Sequence, residues 1–224
     1  MGQTGYSFVR AVATGYQGRL GECEIHSVAM KNKKKVTAAE LMAELNADPA
    51  YVAARAKEEE TRQRIVAELR QAESPLLEDL RSVGISVNSV WDLVNTSTPY
   101  SNGLPILLDH LSRSYPGAIR EGIARALAVK EAKFAWPKLI FLYQKETDPK
   151  AKDGLAVALA AIADDETIGD VVSLTRDLRN GPSRLLLLRA LARSSDPNAR
   201  QTLIKLQNDP ELTKEIKVLL RCLK

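Results

Sequence analysis

The chain has 224 residues, a net charge of +4 and 45% hydrophobic residues, a composition typical of a globular protein. Aromatic residues make up only 5%, so the core must consist of Leu, Ile, Val and Ala, which favours packed helices over a β-sandwich. The chain has two cysteines, Cys23 and Cys222 at its opposite ends, which is no disulfide framework, and no apolar run approaches the roughly 20 residues of a membrane span. We therefore expect an all-α cytoplasmic protein with no membrane partner.

Residues 1–35 are rich in glycine and small polar residues and show no sustained helical or strand period. We expect this segment to be a disordered tail. A basic run closes it directly after Met30, which makes Met30 a candidate natural initiator.

Residues 36–73 are predicted to form a charged helical arm. Thr37 and Glu40 have the spacing of a capping box, which predicts a helix start. Asp48 and Pro49 predict a second start, with Asp as N-cap and Pro at the first helical position. The pattern that follows is dominated by Lys, Glu and Arg, which is typical of an exposed helix.

Residues 74–95 are predicted to form a helix pair, which begins at Ser74 and Pro75, turns at Gly84 and continues around Trp91. This pair matches the repeat that follows it only poorly. Since terminal units of repeat proteins are often atypical, we interpret it as a divergent first repeat.

Residues 104–224 contain four copies of a 32-residue repeat. Its three apolar columns are Leu107, Leu139, Val171 and Leu203; Leu108, Ile140, Val172 and Ile204; and Leu127, Leu159, Leu191 and Leu223. A repeat of this length without strand-like alternation indicates stacked helical hairpins. In each copy the first helix carries two columns, a turn with proline follows, and the second helix carries the Leu127 column.

The second helices contain three related segments, REGIARAL at 120–127, KDGLAVAL at 152–159 and SRLLLLRAL at 183–191. They resemble the second helix of HEAT-type repeats, and residues 104–224 as a whole resemble a short HEAT or armadillo-like α-solenoid. The resemblance implies a repeat domain over 74–224 with first helices on the convex side and second helices on the concave side. It further implies a surface that grips other macromolecules.

These shared motifs consist of packing residues and identify no activity. No Ser, Cys or Lys nucleophile can be matched to a base, and two histidines leave little material for a catalytic triad. We expect a non-catalytic scaffold or adaptor that binds another protein and holds no cofactor.

The outward positions of the second helices are the candidate partner-binding residues. With Ile123 and Leu127 buried, Glu121 and Arg125 point away from the core. Their equivalents in the later copies are Asp153 and Val157, Leu185 and Arg189, and Lys217 and Arg221. We expect a concave strip for an acidic peptide or helix, formed by Arg125, Arg189, Arg221, Glu121, Asp153 and Lys217. The alternative is that these are ordinary solvated charges.

Two other features are interpreted as structural. Arg120, Lys152 and Arg184 match the HEAT-type position whose cation bonds between neighbouring turns, and Ile216 breaks this column in the last copy. The acidic segment 164–166 precedes a helix that it would cap.

Metal binding is not expected, because Cys23 and His26 lack the further ligands of a zinc site.

Two further functions stay open as alternatives. The basic surplus lies from Leu104 onward, so nucleic acid is a possible partner, and HEAT-like DNA glycosylases that excise alkylated bases are proteins of similar size. Such chemistry needs aromatic residues on the concave face, whereas Trp136 aligns with packing positions. A relation to the HEAT-like subunits of bilin lyases rests on fold alone.

Overall fold

The structure, a computed structural model, describes residues 36–94 and 96–222. Within these ranges every regular element is a helix, which confirms the predicted all-α class. The predicted tail, with Met30, Cys23 and His26, lies outside the described residues. Of the described residues, 36–71 belong to one compact unit and 72–222 to another.

The first unit contains helix α1 (Ala38–Ala47) and the beginning of α2 (Pro49–Ser82). The predicted capping box is present, since Thr37 Oγ1 accepts from the Glu40 N–H at 3.3 Å and Glu40 Oε2 accepts from the Thr37 N–H at 2.8 Å. Asp48 Oδ1 accepts from the backbone N–H of Ala50 at 2.9 Å, as predicted for the start of α2. Helix α1 buries none of its side chains.

Helix α2 continues through Ser74 and Pro75, so the predicted new helix start at this position is wrong. A proline inside a helix removes one backbone hydrogen bond and costs about 3 kcal/mol. Leu76 and Leu80 follow it in the second unit and are both fully buried. Burial of these leucines offsets the cost of the proline and keeps the chain helical.

The second half of the predicted divergent repeat is shorter than expected. It forms only the four-residue helix α3 (Trp91–Val94). A 3-10 turn at Ser101–Gly103 then precedes the regular array.

Each predicted copy contains one helix pair. The pairs are α4 (Leu104–Leu111) with α5 (Gly117–Ala126), α6 (Trp136–Lys145) with α7 (Pro149–Ile162), α8 (Ile168–Arg176) with α9 (Arg184–Arg193), and α10 (Pro197–Lys205) with α11 (Thr213–Cys222). Further 3-10 segments, Lys130–Ala135 and Leu178–Ser183, precede α6 and α9. The two helices of each pair contact each other, and the second helices α5, α7, α9 and α11 contact one another in sequence.

Two of the three apolar columns form the core of the second unit. All four residues of the Leu107 column are fully buried, and so are the described members of the Leu127 column. The Leu108 column is only partly buried, and its last member, Ile204, is exposed. Leu223 lies outside the described residues.

Glycine allows α5 and α7 to pack very closely. A Cβ atom on Gly154 of α7 would lie 2.8 Å from the carbonyl oxygen of Glu121 on α5. Only a residue without a side chain fits at this distance.

Two of the three residues of the cation column, Arg120 and Arg184, connect successive turns, as predicted. Arg120 donates to the carbonyl oxygen of Tyr115 at 3.1 Å and pairs with Glu146 in the next copy. Arg184 is 2% exposed and donates to Asp209 Oδ2 at 2.8 Å and to Glu211 Oε2 at 2.6 Å, both in the last copy. These contacts join each turn to the equivalent turn one copy further along.

Lys152, between them in the column, makes a different contact. Its Nζ lies 5.1 Å from the centre of the Tyr143 ring, within the range of a cation–π interaction.

Candidate interaction groove

A groove of about 480 Å³ crosses the second helices of all four pairs. It is lined by Arg125 of α5, by Val157, Ala160 and Ala161 of α7, by Leu185, Leu186, Arg189 and Arg193 of α9, and by Glu215 of α11. Because the second helices pack side by side, at least one residue from each copy reaches the same surface. We refer to this feature as the second-helix groove.

The structure brings Arg125 and Arg189, two of the predicted strip residues, into this groove. Glu121 lies one helical turn from Arg125, whose Nε donates to Glu121 Oε1 at 2.9 Å. Lys217 and Arg221 are exposed on α11 but are not among the lining residues. Of the predicted strip, only Arg125 and Arg189 line the groove, and the others lie on the adjacent surfaces of the second helices: Glu121 on α5, Asp153 on α7, and Lys217 and Arg221 on α11.

The carboxylates near Arg125 are partly removed from solvent. Burial raises the pKa of Glu121 above its usual value, and the guanidinium of Arg125 opposes this increase. Burial likewise raises the pKa of Asp153 on α7, again opposed by Arg125. Arg125 thus has two carboxylates close enough to influence, and they offset its positive charge.

The α9 side of the groove has a different character. Leu185, Arg189 and Arg193 follow one another at intervals of one helical turn and so lie on one helix face. Leu185 is 38% exposed, and Arg189 makes no ion pair with any residue in 36–94 or 96–222. Arg193 hydrogen-bonds to the carbonyl oxygen of Ala160, which connects α9 to α7.

Arg193 was missed in the sequence-based prediction, although a signal for it exists. It lies four residues after Arg189, and residues at this spacing share one face of a helix.

The acidic segment 164–166 has a structural role, but the predicted helix cap is not formed, because the N-cap residue of α8 is Thr167 and it makes no side-chain capping bond. Asp164 Oδ1 accepts from the N–H groups of Glu166 and Thr167 at 3.1 and 3.2 Å, in the turn before α8. Lys133 pairs with Asp164 and Glu166, and these hydrogen bonds raise the pKa of Lys133 to about 12.

In the part of the chain that the structure describes, no group of three or more His, Cys, Asp or Glu residues is placed to hold a metal ion.

Trp136 is a packing residue, as expected. It is buried at the start of α6, and its Nε1 donates to Asp170 Oδ2 at 2.9 Å. Its ring is therefore not presented to a ligand.

A buried histidine network was not predicted. His110 is 1% exposed, with Nδ1 2.8 Å from the hydroxyl of Tyr115 and Nε2 2.8 Å from Asp79 Oδ2. Asp79 and His110 are 31 residues apart, a separation that no helical period relates. This network lies outside the lining residues of the second-helix groove.

Among residues 36–94 and 96–222 we find no helix whose length and apolar character would let it span a bilayer.

Comparison of the chain with models of protein families, with curated proteins and with solved structures finds no match. The function of the groove must therefore be inferred from the chemistry of its own residues.

Proposed function

We propose that the helix pairs form a short HEAT-like α-solenoid and that the chain is a non-catalytic scaffold or adaptor. Its partner is an acidic peptide or helix of another protein, bound in the second-helix groove. The observation that carries this proposal is that the exposed arginines Arg189 and Arg193 lie beside the exposed Leu185 and half-buried apolar side chains in one groove.

The solenoid arrangement is supported by contacts that repeat along the chain. Each second helix packs against the next, and α8 also packs against α10. The Arg120–Glu146 and Arg184–Asp209 pairs both connect one copy to the following one. In a stack of helix pairs, each unit makes its contacts with its immediate neighbours.

The chemistry of the groove suits an amphipathic partner. Arg189 and Arg193 can donate to carboxylates in a forked geometry, and Val157 and Leu185 offer apolar contact between the charged residues. An exposed ion pair contributes only about 0–1 kcal/mol. The apolar contacts must therefore supply much of the affinity, while the arginines select an acidic partner.

The alternative DNA glycosylase function has less support. None of the residues that line the groove is aromatic, so this surface offers no stacking platform for an extruded base. A bilin lyase function has no residue of the groove to support it.

The function can be tested by affinity capture from the native host, with the full chain and two variants as bait. Arg189→Glu reverses a charge in the groove. Lys205→Glu is the matched control, because Lys205 is an exposed cation on α10, the first helix of the last pair, and does not line the groove. We expect the wild type and Lys205→Glu to recover the same protein, and Arg189→Glu to lose it. Equal recovery by all three baits, or salt-sensitive DNA binding in place of protein capture, would contradict the proposal.

A further inference from the structure

The charge of the outward positions changes from one second helix to the next. These positions are Glu121 and Arg125 on α5, Asp153 and Val157 on α7, Leu185 and Arg189 on α9, and Lys217 and Arg221 on α11. All eight side chains are half-buried or exposed. The outward charge is therefore balanced on α5, negative on α7, and positive on α9 and α11.

At the α5–α7 end of the groove, the cation Arg125 is already paired with a carboxylate of the protein itself. Arg125 Nε lies 2.9 Å from Glu121 Oε1, and the two side chains are 30% and 17% exposed. Asp153 adds a second carboxylate within electrostatic reach of Arg125. A carboxylate of a partner that approached Arg125 would compete with Glu121 and be repelled by Asp153.

The α9–α11 end leaves its cations available. Arg189, Lys217 and Arg221 are exposed, and none of them forms an ion pair with a residue that the structure describes. Glu215 offsets one positive charge in the groove, and Arg193 adds another. A partner's carboxylates are attracted to this end.

An apolar step separates the two ends. Val157 of α7 is half-buried, and Leu185 of α9 is exposed. A segment that crosses from α5 to α11 first passes Arg125, with the carboxylates of Glu121 and Asp153 beside the groove. It then meets apolar side chains, and after them the cations of α9 and of the adjacent surface of α11.

We propose that the second-helix groove binds its partner in one orientation, with the partner's acidic residues over α9 and α11 and a basic segment over α5 and α7. This inference rests on the proposed protein-binding function. The partner is accordingly a segment with separated charges, acidic at one end and basic at the other. A uniformly acidic segment is disfavoured, because Asp153 repels it.

Selection from a random peptide library tests this orientation with the full chain as bait. Four helices packed at roughly 9 Å span about 27 Å, which a helical peptide of about 20 residues covers. We expect enriched peptides with an acidic block and a basic block on either side of apolar residues. Arg189→Glu should weaken these peptides about tenfold, as should Asp153→Lys, and Lys205→Glu should leave them unchanged.

A fresh selection against Asp153→Lys should enrich uniformly acidic peptides, because the basic block no longer meets a carboxylate. Asp153→Asn removes the charge with little change of shape and should weaken the original peptides less than Asp153→Lys. Circular dichroism and thermal unfolding verify that each variant is folded.

The outcomes separate the two proposals. If wild-type selection enriches uniformly acidic peptides that depend on Arg189, the orientation is wrong and the binding function stands. The same holds if Asp153→Lys and Asp153→Asn bind the original peptides at least as tightly as the wild type. If no enriched peptide depends on Arg189, the proposed function fails, and the orientation fails with it.

Discussion

Glu73 accepts a hydrogen bond of 2.6 Å from the backbone N–H of Val90, in the turn before α3. Its Oε1 also accepts from the hydroxyl of Ser89 at 3.1 Å. The side chain is 1% exposed, and among the described residues its other oxygen, Oε2, has no hydrogen-bond partner. A carboxylate in this position stabilises the turn but loses most of its hydration.

We expect Glu73 to make the stability of the fold depend on pH. Burial raises the pKa of Glu73 above its usual 4.5, although the bonds from Val90 and Ser89 oppose this increase. Protonation is therefore favoured more in the folded than in the unfolded protein. The contribution of Glu73 to the free energy of unfolding is fully present below pH 4.5 and is lost as the pH rises through the folded pKa.

Glu73→Gln removes this titration and keeps an oxygen that can accept from Val90. The free energy of unfolding of the wild type, relative to the variant, should decrease as the pH rises above 4.5 and then level off. Urea denaturation at a series of pH values measures this difference. A difference that stays constant with pH would show that Glu73 is not the titrating group.

The histidine network should contribute to stability through its hydrogen bonds. Tyr115→Phe removes the hydroxyl that lies 2.8 Å from His110 Nδ1 and should lower the free energy of unfolding by about 1 kcal/mol. His110→Ala also leaves a cavity and should cost about 2–4 kcal/mol. Tyr51→Phe is the control and should change the value by less than about 0.5 kcal/mol. Equal midpoints for Tyr115→Phe and Tyr51→Phe would contradict the prediction.

Arg184 is expected to be among the most sensitive charged positions. Arg184→Ala removes a buried guanidinium and leaves Asp209, whose side chain is 10% exposed, without its partner 2.8 Å away, so it should cost about 3–5 kcal/mol. Arg184→Lys keeps the charge but loses the forked geometry, so its free energy of unfolding should lie between those of the wild type and Arg184→Ala. Thermal unfolding measures both, with Arg189→Ala as an exposed control that should remain within about 0.5 kcal/mol of the wild type. A similar small change for Arg184→Ala would mean that the pair is not required.

Two glycines should respond in opposite directions to the same substitution. Gly154→Ala places a Cβ atom 2.8 Å from the carbonyl oxygen of Glu121, which forces α5 and α7 apart and should cost about 1–3 kcal/mol. Gly169→Ala meets no atom within 4 Å and should stabilise α8 by about 0.5–1 kcal/mol. Chemical denaturation of the two variants compares them directly. Destabilisation by both would indicate that close helix contact is not the cause.

Much of the helical architecture could be predicted from spacing. The 32-residue period located the four regular pairs, because the buried faces of repeated units require the same residues at the same positions. The helix start predicted at Pro75 is wrong, since the burial of Leu76 and Leu80 outweighs the tendency of proline to interrupt a helix.

Less of the groove could be predicted. The period relates Arg125 to Arg189, and the four-residue spacing of Glu121 and Arg125 indicates their ion pair. Neither the period nor the four-residue spacing shows how far the carboxylate of Asp153 is removed from water, because its burial depends on how α5 and α7 pack. The contact between Asp79 and His110 depends on packing in the same way.

The absence of a side chain at Gly154 has a mechanical consequence for the groove. The backbone of α5 at Glu121 lies so close to Gly154 of α7 that no side chain fits between the two helices. The contact between α9 and α11 is less extensive. Any widening of the groove on partner binding is therefore expected between α9 and α11. The cationic end then adjusts to the partner, while the spacing of α5 and α7 stays fixed.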